Sequence, residues 1–390
     1  MKIIFFVHPD FLNSQSMPRF ANMLIDGMRK RGHFVQVWKP NPFFYKISFP
    51  AKFKKWLGYI DQYILFPILV RIRIWTFPGN ALYVFCDQAM GPWVPLVKNF
   101  PHVIHCHDFL AQRSALKEIP ENPISRTGKI YQAYIKKGYK IGKNFISVSK
   151  KTQSDLGNFM EEKIFISNMV YNGLNPIFKP GNKCQERILL SIHLGIDLNN
   201  GFLLHVGGNQ WYKNRAGVIE LYNYWRAESR HKLPLLMIGP QPNSNLINNY
   251  LKSKFKDDIH FLTGKNDFFV RQAYIAAKLF LFPSLDEGFG WPIAEAMASG
   301  CPVVTTGELP MTEVGGSAAN YISRMPINKE VFKTWAKESA KTIENVVNMN
   351  DEELKHQVEI GLNNVKRFDS DLSLNKIEKI YYKILSTSQS

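Results

Sequence analysis

Two glutamates, Glu287 and Glu295, stand eight residues apart in the stretch LFPSLDEGFGWPIAEAMASGCPVVTT, residues 281–306. Asp286 to Gly290 is turn chemistry, and Pro292 sits where the first turn of a helix tolerates proline. Ile293 to Ala298 are mostly good helix formers, and Gly300 followed by Pro302 ends the helix before the β-branched run Val303 to Thr306. A loop of this kind leaves backbone N–H groups unpaired at the positive end of a helix. Gly288 and Gly290 let a ligand approach that backbone closely, and the favoured ligand is an anion, most simply a phosphate. Glu287 before the helix and Glu295 in its first turns can accept hydroxyls on either side of a diphosphate. A second loop has the same character: the apolar run Phe202 to Val206, then Gly207-Gly208, then Lys213 and Arg215 where another helix begins. A glycine pair after a strand, with cations beside a helix start, reads as a further phosphate-binding loop.

Strands and helices must alternate to hold such loops, and the chain is built that way. Lys2 to Val7 reads as a strand, the loop His8 to Ser16 leads into a helix ending near Arg31, and Phe34 to Trp38 is the next strand, giving a βαβ unit. Ala81 to Phe85, His102 to His105 and Asn144 to Val148 continue the series, the second followed by Cys106-His107-Asp108. Phe202 to Val206, Leu235 to Ile238, Ile259 to Leu262 and Ala276 to Pro283 make a second series, and Asp369 to Leu385 is an amphipathic terminal helix. At 390 residues the chain is too long for one ordinary core and suits two domains. Phe178 to Asn200, with Pro180-Gly181-Asn182, reads as the linker between them. The apolar part of MKIIFFVHPDF is too short for a secretory signal and reads as the first strand. Cys86, Cys106, Cys184 and Cys301 have neither metal nor redox spacing, so reduced, mostly buried thiols in a cytoplasmic protein are expected.

Charge is divided unevenly. Residues 1–190 hold 27 Lys and Arg against 11 Asp and Glu, whereas residues 191–390 hold 22 against 21. The first half therefore faces something anionic: a membrane surface, a lipid-linked phosphate or nucleic acid. Within it, residues 43–77 interleave aromatic and aliphatic side chains with Lys46, Lys52, Lys54, Lys55, Arg71 and Arg73 against the single acid Asp61. As an interfacial segment it would place Phe53, Trp56, Tyr59 and Phe66 in the lipid boundary; as a pair of core helices it would bury them and leave the lysines solvated. No nucleic-acid motif accompanies the basic residues, and the aromatics fall among aliphatics, so no nucleic-acid partner is expected.

The string from Glu287 to Glu295, with its Glu287-Gly-Phe-Gly start and the continuation Glu295-Ala-Met-Ala followed by Gly300-Cys-Pro-Val-Val, resembles the E-x7-E signature of retaining glycosyltransferases of family 4 (group 1). The resemblance implies the GT-B fold: two facing, Rossmann-like, doubly wound α/β domains with an interdomain cleft. It assigns 1–190 to an acceptor domain, 191–370 to a nucleotide-sugar donor domain and 371–390 to a helix crossing back to the first. By the same resemblance Glu295 holds the ribose hydroxyls and Glu287 a hydroxyl of the donor sugar, with Gly288, Phe289 and Gly290 along the donor. Gly207, Gly208 and Lys213 meet the diphosphate, and Thr263 lies where backbone groups hold the base. His107 lies near the transferred sugar, with His105 as its rival. The family's arginine near Gly208 is absent, and Arg215 either replaces it or is a surface residue. The family's glycine-rich loop after the first strand is also absent, replaced by His8 to Ser16.

The implied reaction is sugar transfer, with retention, from a nucleotide diphosphate sugar to a hydroxyl of a glycan or lipid-linked acceptor in polysaccharide or lipopolysaccharide biosynthesis. Two helix N-termini with Lys213 and Arg215 supply the positive charge, so neither metal nor cofactor is expected. The expected location is the cytoplasm, peripheral on the inner face of the cytoplasmic membrane. The alternative is a catalytically impaired partner or scaffold subunit of the same fold that binds nucleotide sugar.

Overall fold

The computed structural model describes residues 1–12, 16–76, 81–160 and 164–387, and the side chains at 51, 52 and 329 fall outside the description. Residues 13–15 of the expected loop His8 to Ser16, Phe77 and the Lys52 side chain therefore lie outside the described residues. The chain forms two compact units, Met1–Gly173 with Asp371–Ser390, and Leu174–Ser370.

The first unit is built on a parallel six-stranded sheet: β1 Lys2–Phe6, β2 Phe34–Trp38, β3 Ala81–Phe85, β4 His102–Cys106, β5 Asn144–Ser147 and β6 Ile166–Met169, in the order β2-β1-β3-β4-β5-β6. The second has β7 Leu203–Val206, β8 Leu235–Ile238, β9 Ile259–Leu262, β10 Leu279–Phe282, β11 Val303–Thr306 and β12 Ala319–Ile322, in the order β12-β11-β10-β7-β8-β9. Helices between successive strands cover both faces, so the central strands are apolar throughout rather than alternating. In β10 Leu279, Phe280, Leu281 and Phe282 are all fully buried, as are Leu82 and Val84 in β3. Strand order reverses at β1/β3 in the first unit and at β7/β10 in the second. A crevice opens at such a reversal outside the carboxyl ends of the strands, and ligands bind there.

The terminal helix Ser370–Thr387 completes the first unit. It buries Leu374, Ile377, Ile380, Tyr381 and Ile384, each large apolar side chain worth about 1.5–3 kcal/mol when fully covered. Arg31 pairs with Asp371 at 3.1 Å, and His33 meets Glu378 at 2.5 Å. The expected boundary at 190/191 falls instead at Gly173/Leu174, and the expected linker contains the helix Lys183–Leu194. The segment belongs to the second unit because its polar groups are answered there. Arg187 donates to the Ala276 carbonyl at 2.8 Å, Gln272 to Glu186 at 2.7 Å, and Arg271 to the Lys179 carbonyl at 3.2 Å.

The basic aromatic segment is a helix Ala51–Ile60 continued through a π-turn Asp61–Leu65 into Phe66–Thr76. One expectation for it is corrected. Phe66 is not interfacial: it is 1% exposed and packs edge-on to Trp93 at 4.7 Å. Asp61 is buried too, accepting the Phe44 and Tyr45 N–H groups at 2.9 Å each, so it anchors the preceding turn. Tyr59 is half-buried and stacks on Tyr131 at 5.6 Å. Exposed instead are Phe53, Trp56, Ile64, Ile68, Ile72 and Trp75, a stripe at helical spacing on one face. Among the described residues no helix is long and apolar enough to cross a membrane.

Candidate active site

In the second unit the two glycine-bearing loops follow β7 and β10, the pair of strands at which the order reverses. Neighbouring parallel strands end on the same edge of the sheet, so these two loops lie side by side. After β7 the chain passes Gly207-Gly208, makes a short turn Trp211–Lys213, and enters the helix Arg215–Glu228 through Asn214, whose side chain caps Gly217 N–H at 3.2 Å. After β10 it enters the helix Trp291–Ala298 through Gly290 at φ +103°, a left-handed conformation that an L side chain resists. Gly239, after β8, is fitted still more tightly, since a Cβ there would meet the Gly207 carbonyl oxygen at 2.1 Å.

The structure brings Lys213 and Glu287 together. Nζ lies 2.7 Å from Oε1 of Glu287, which also accepts the Ser284 hydroxyl at 2.8 Å. Both side chains are largely withdrawn from water, at 14% and 6% exposure. The ammonium also lies over the Phe282 ring, 5.0 Å from its centroid. Arg215 is not a surface residue. It is buried, donates to Asn209 at 2.5 Å and to the Pro240 carbonyl at 3.1 Å, and its Nε and one terminal nitrogen have no hydrogen-bond partner. Burial pushes its pKa down to about 10, which still leaves it charged at neutral pH. A buried guanidinium whose acceptors are an amide and a carbonyl is suited to an anion supplied from outside.

Glu295 lies within the helix, buried, with the Tyr274 hydroxyl 3.4 Å from Oε2. Phe289 is buried edge-on to Phe368 at 5.4 Å, and Thr263 follows β9, 3.5 Å from the Gln241 amide. Sequence reasoning passed over His205. It is fully buried in β7, its Nδ1 donates to the Leu281 carbonyl at 3.0 Å, and Nε2, beside Gly207, has no partner. Burial holds its pKa down to about 3; the Leu281 bond opposes this, and the Arg215 and Lys213 charges add to it. A neutral imidazole thus lies beneath two cations without adding a third.

In the first unit His107 follows β4 and is buried. Its ring nitrogen Nε2 donates to the Cys86 carbonyl at 2.9 Å, and the ring meets Phe20 edge-on at 4.4 Å. Burial lowers its pKa, against the raising influence of Asp87 and the Cys86 bond. His105 is more deeply committed, bonded through Nε2 to the Tyr381 hydroxyl at 2.8 Å and held by burial at a pKa of about 3. The histidine with access to solvent is His8, after β1, whose Nε2 lies 2.8 Å from Oδ2 of Asp87. Cys86, Cys106 and Cys301 are buried thiols and Cys184 is exposed.

Residues 189–361 match the family described as glycosyl transferases group 1. O-antigen chain mannosyltransferase B of Escherichia coli is 32% identical over 120 residues, 30% of this chain and 32% of that protein. Lipopolysaccharide glucosyltransferase WaaG of Escherichia coli strain K12 is 30% identical over 138 residues, 34% of this chain and 36% of that protein. The chain thus spans about a third of the length of these two curated relatives. Anabaena Alr3699/HepE, solved in complex with UDP and glucose, superposes with a TM-score of 0.71 at 16% identity, over 98% of this chain and 100% of its own. Over nearly its whole length the chain therefore has the α/β GT-B fold, and from residue 189 to 361 its sequence is similar to that of the group 1 glycosyl transferases.

Proposed function

We propose that the protein is a retaining glycosyltransferase that moves a sugar from a nucleotide diphosphate sugar to a hydroxyl of a glycan or lipid-linked acceptor, in cell-surface polysaccharide or lipopolysaccharide assembly. The observation that carries the reading is the Lys213–Glu287 pair with buried Arg215 at the strand reversal of the second unit. Two cations beside two helix starts stabilise a departing diphosphate with no metal in the reaction, and a carboxylate beside the lysine holds a hydroxyl of the sugar that the diphosphate carries. Glu295 binds the ribose. The relatives act in the same directions: one is an O-antigen mannosyltransferase, another a lipopolysaccharide glucosyltransferase, and the structural neighbour holds UDP and glucose. The impaired-subunit reading draws on the absence of an arginine near Gly208 and of a glycine-rich loop after the first strand; the buried Arg215 speaks against the first of these.

A panel of nucleotide sugars tests the reading directly. The true donor at 100 times its Kd should stabilise the protein by about 2.7 kcal/mol, and the same donor should be consumed when an acceptor is added. A protein that no nucleotide or nucleotide sugar stabilises would refute it. With an α-linked donor the product should be α-linked, and a β-linked product would rule out retention.

Docking on anionic membrane belongs to the same proposal. The exposed stripe Phe53, Trp56, Ile64, Ile68, Ile72 and Trp75 carries Lys54, Lys55 and Arg71 along its length. Near an anionic surface each cation contributes about 1 kcal/mol, and the apolar side chains insert between headgroups. The protein should float with vesicles containing anionic lipid, less as salt rises, and a Trp56→Glu/Trp75→Glu variant should stay in solution. Equal flotation of that variant would exclude this face.

A further inference from the structure

Tyr212, Lys213 and Asn214, three consecutive residues of the second unit, each bond across to the loop that carries Glu287. The Tyr212 carbonyl accepts the Leu285 N–H at 2.7 Å, Lys213 Nζ lies 2.7 Å from Glu287, and Asn214 Nδ2 donates to the Pro283 carbonyl at 2.9 Å. Neighbouring carbonyls are held from other elements of the same unit: Phe282 by the Thr305 hydroxyl at 2.8 Å, Ser284 by Thr306 at 2.7 Å and Leu285 by Arg324 Nε at 3.1 Å. Four successive carbonyls ahead of Glu287 are thus answered by side chains, and of these four side chains Asn214 is the one that belongs to the lysine's loop. Asn214 is 6% exposed, with φ at +50°, a left-handed conformation that asparagine tolerates better than most residues. Its Oδ1 caps the Gly217 N–H at 3.2 Å. Gly217 leaves room for the amide, since a Cβ there would meet Nδ2 and Oδ1 at 2.4 Å each. Capping a helix needs only an acceptor. The donor to Pro283 is what capping leaves unexplained.

We propose that Asn214 is a positioning residue for glycosyl transfer: it joins the two loops, so that the cation meant for the diphosphate and the carboxylate meant for the sugar keep one spacing. The inference rests on the glycosyl-transfer reading above. The Lys213–Glu287 pair cannot keep that spacing by itself, because a bound donor draws the ammonium to its phosphates and offers its own hydroxyl to the carboxylate. The bond from Asn214 to Pro283 is buried, so the donor does not compete for it. With the Tyr212–Leu285 bond it holds the loops together while their charged side chains turn to the ligand. The distance between phosphate and sugar contacts is then set by the protein before the donor arrives, which is the preorganisation that sugar transfer needs.

The test uses the full chain with its donor and acceptor. Asn214→Gly keeps the left-handed backbone and a serviceable cap but loses the bond to Pro283. Misplacement by about 1 Å costs about 10²-fold in rate, so turnover should fall by that order. Affinity for free nucleoside diphosphate should stay at the wild-type value, because Lys213 and Arg215 still reach it. Asn214→Asp keeps the acceptor for the Gly217 N–H and loses only the donor, so it separates the two ends of the side chain: its turnover should fall as well, whereas a residue that only caps the helix would be replaced without loss. Gly217→Ala leaves Asn214 in the sequence and pushes its amide aside. Helix propensity favours alanine there, yet turnover should fall as in Asn214→Gly. Wild-type turnover in Asn214→Asp or in Gly217→Ala overturns the proposal. So does a loss of turnover that only follows the folded fraction, read by circular dichroism, or the affinity for free nucleoside diphosphate. If Asn214→Gly does not fold, the other two variants decide. The reading beneath it fails differently: a wild-type protein that binds no nucleotide sugar, or transfers none, fails before any variant is made.

Discussion

A Lys213→Ala variant is expected to lose nucleotide affinity and, for a separate reason, stability. The ammonium is 2.7 Å from Glu287, whose side chain is 6% exposed. Removing only the cation strands a buried carboxylate whose remaining partners include the Ser284 hydroxyl, and breaking a buried pair from one side costs about 3–5 kcal/mol. The binding loss is that of a charge-assisted hydrogen bond to phosphate, about 1.5–3 kcal/mol. A Lys213→Met/Glu287→Gln double variant separates the two, because a neutral pair in the same place needs no counter-charge. Urea unfolding should show most of the stability recovered, while titration with nucleotide diphosphate should show no recovery of affinity. A double variant no more stable than Lys213→Ala would mean that the pair is not what matters at this site. Arg215→Met should also weaken nucleotide binding, since the guanidinium is buried with two nitrogens unpartnered.

Glu287→Gln and Glu295→Gln should fail in different ways. Glutamine at 287 removes the charge that holds Lys213 but keeps the shape, so free nucleotide should bind as well as before or more tightly, the ammonium now being released to the diphosphate. Turnover should fall on the order of 10²-fold, because a sugar hydroxyl held less firmly misplaces the anomeric carbon. Glutamine at 295 weakens an acceptor for ribose hydroxyls, so free nucleotide and nucleotide sugar should both lose about 1–3 kcal/mol of affinity. A titration in which Glu287→Gln weakens free nucleotide as much as Glu295→Gln would end this division of roles.

The residues that made the site readable in advance are those whose meaning is local. Gly290 before Trp291-Pro292, Gly207-Gly208 after an apolar run, and Lys213 beside a helix start are turns, caps and strand ends, defined by neighbours within a few positions. The alternation of apolar runs with helical stretches is equally local, and it declares parallel α/β units before any strand is paired. Strand order is not local. Nothing in the sequence near His8 points to Asp87, 79 residues away, because their meeting depends on β3 rather than β2 lying on that side of β1. Burial behaves in the same way. Arg215 and Asp61 are charged residues whose sequence neighbours do not show that they are buried, and each is buried where distant backbone answers it: the Pro240 carbonyl for one, the Phe44 and Tyr45 N–H groups for the other. Phe66, read as interfacial among exposed aromatics, is core because Trp93 and Phe6 reach it from elsewhere in the chain. The sequence by itself determined the fold class and the two glycine-bearing loops at the candidate site, since periodicity, glycine, proline and cap residues act over a few residues. Only the tertiary structure decided which charges are buried and which distant side chains meet, because desolvation and hydrogen bonding are settled by whatever the folded chain packs against each group.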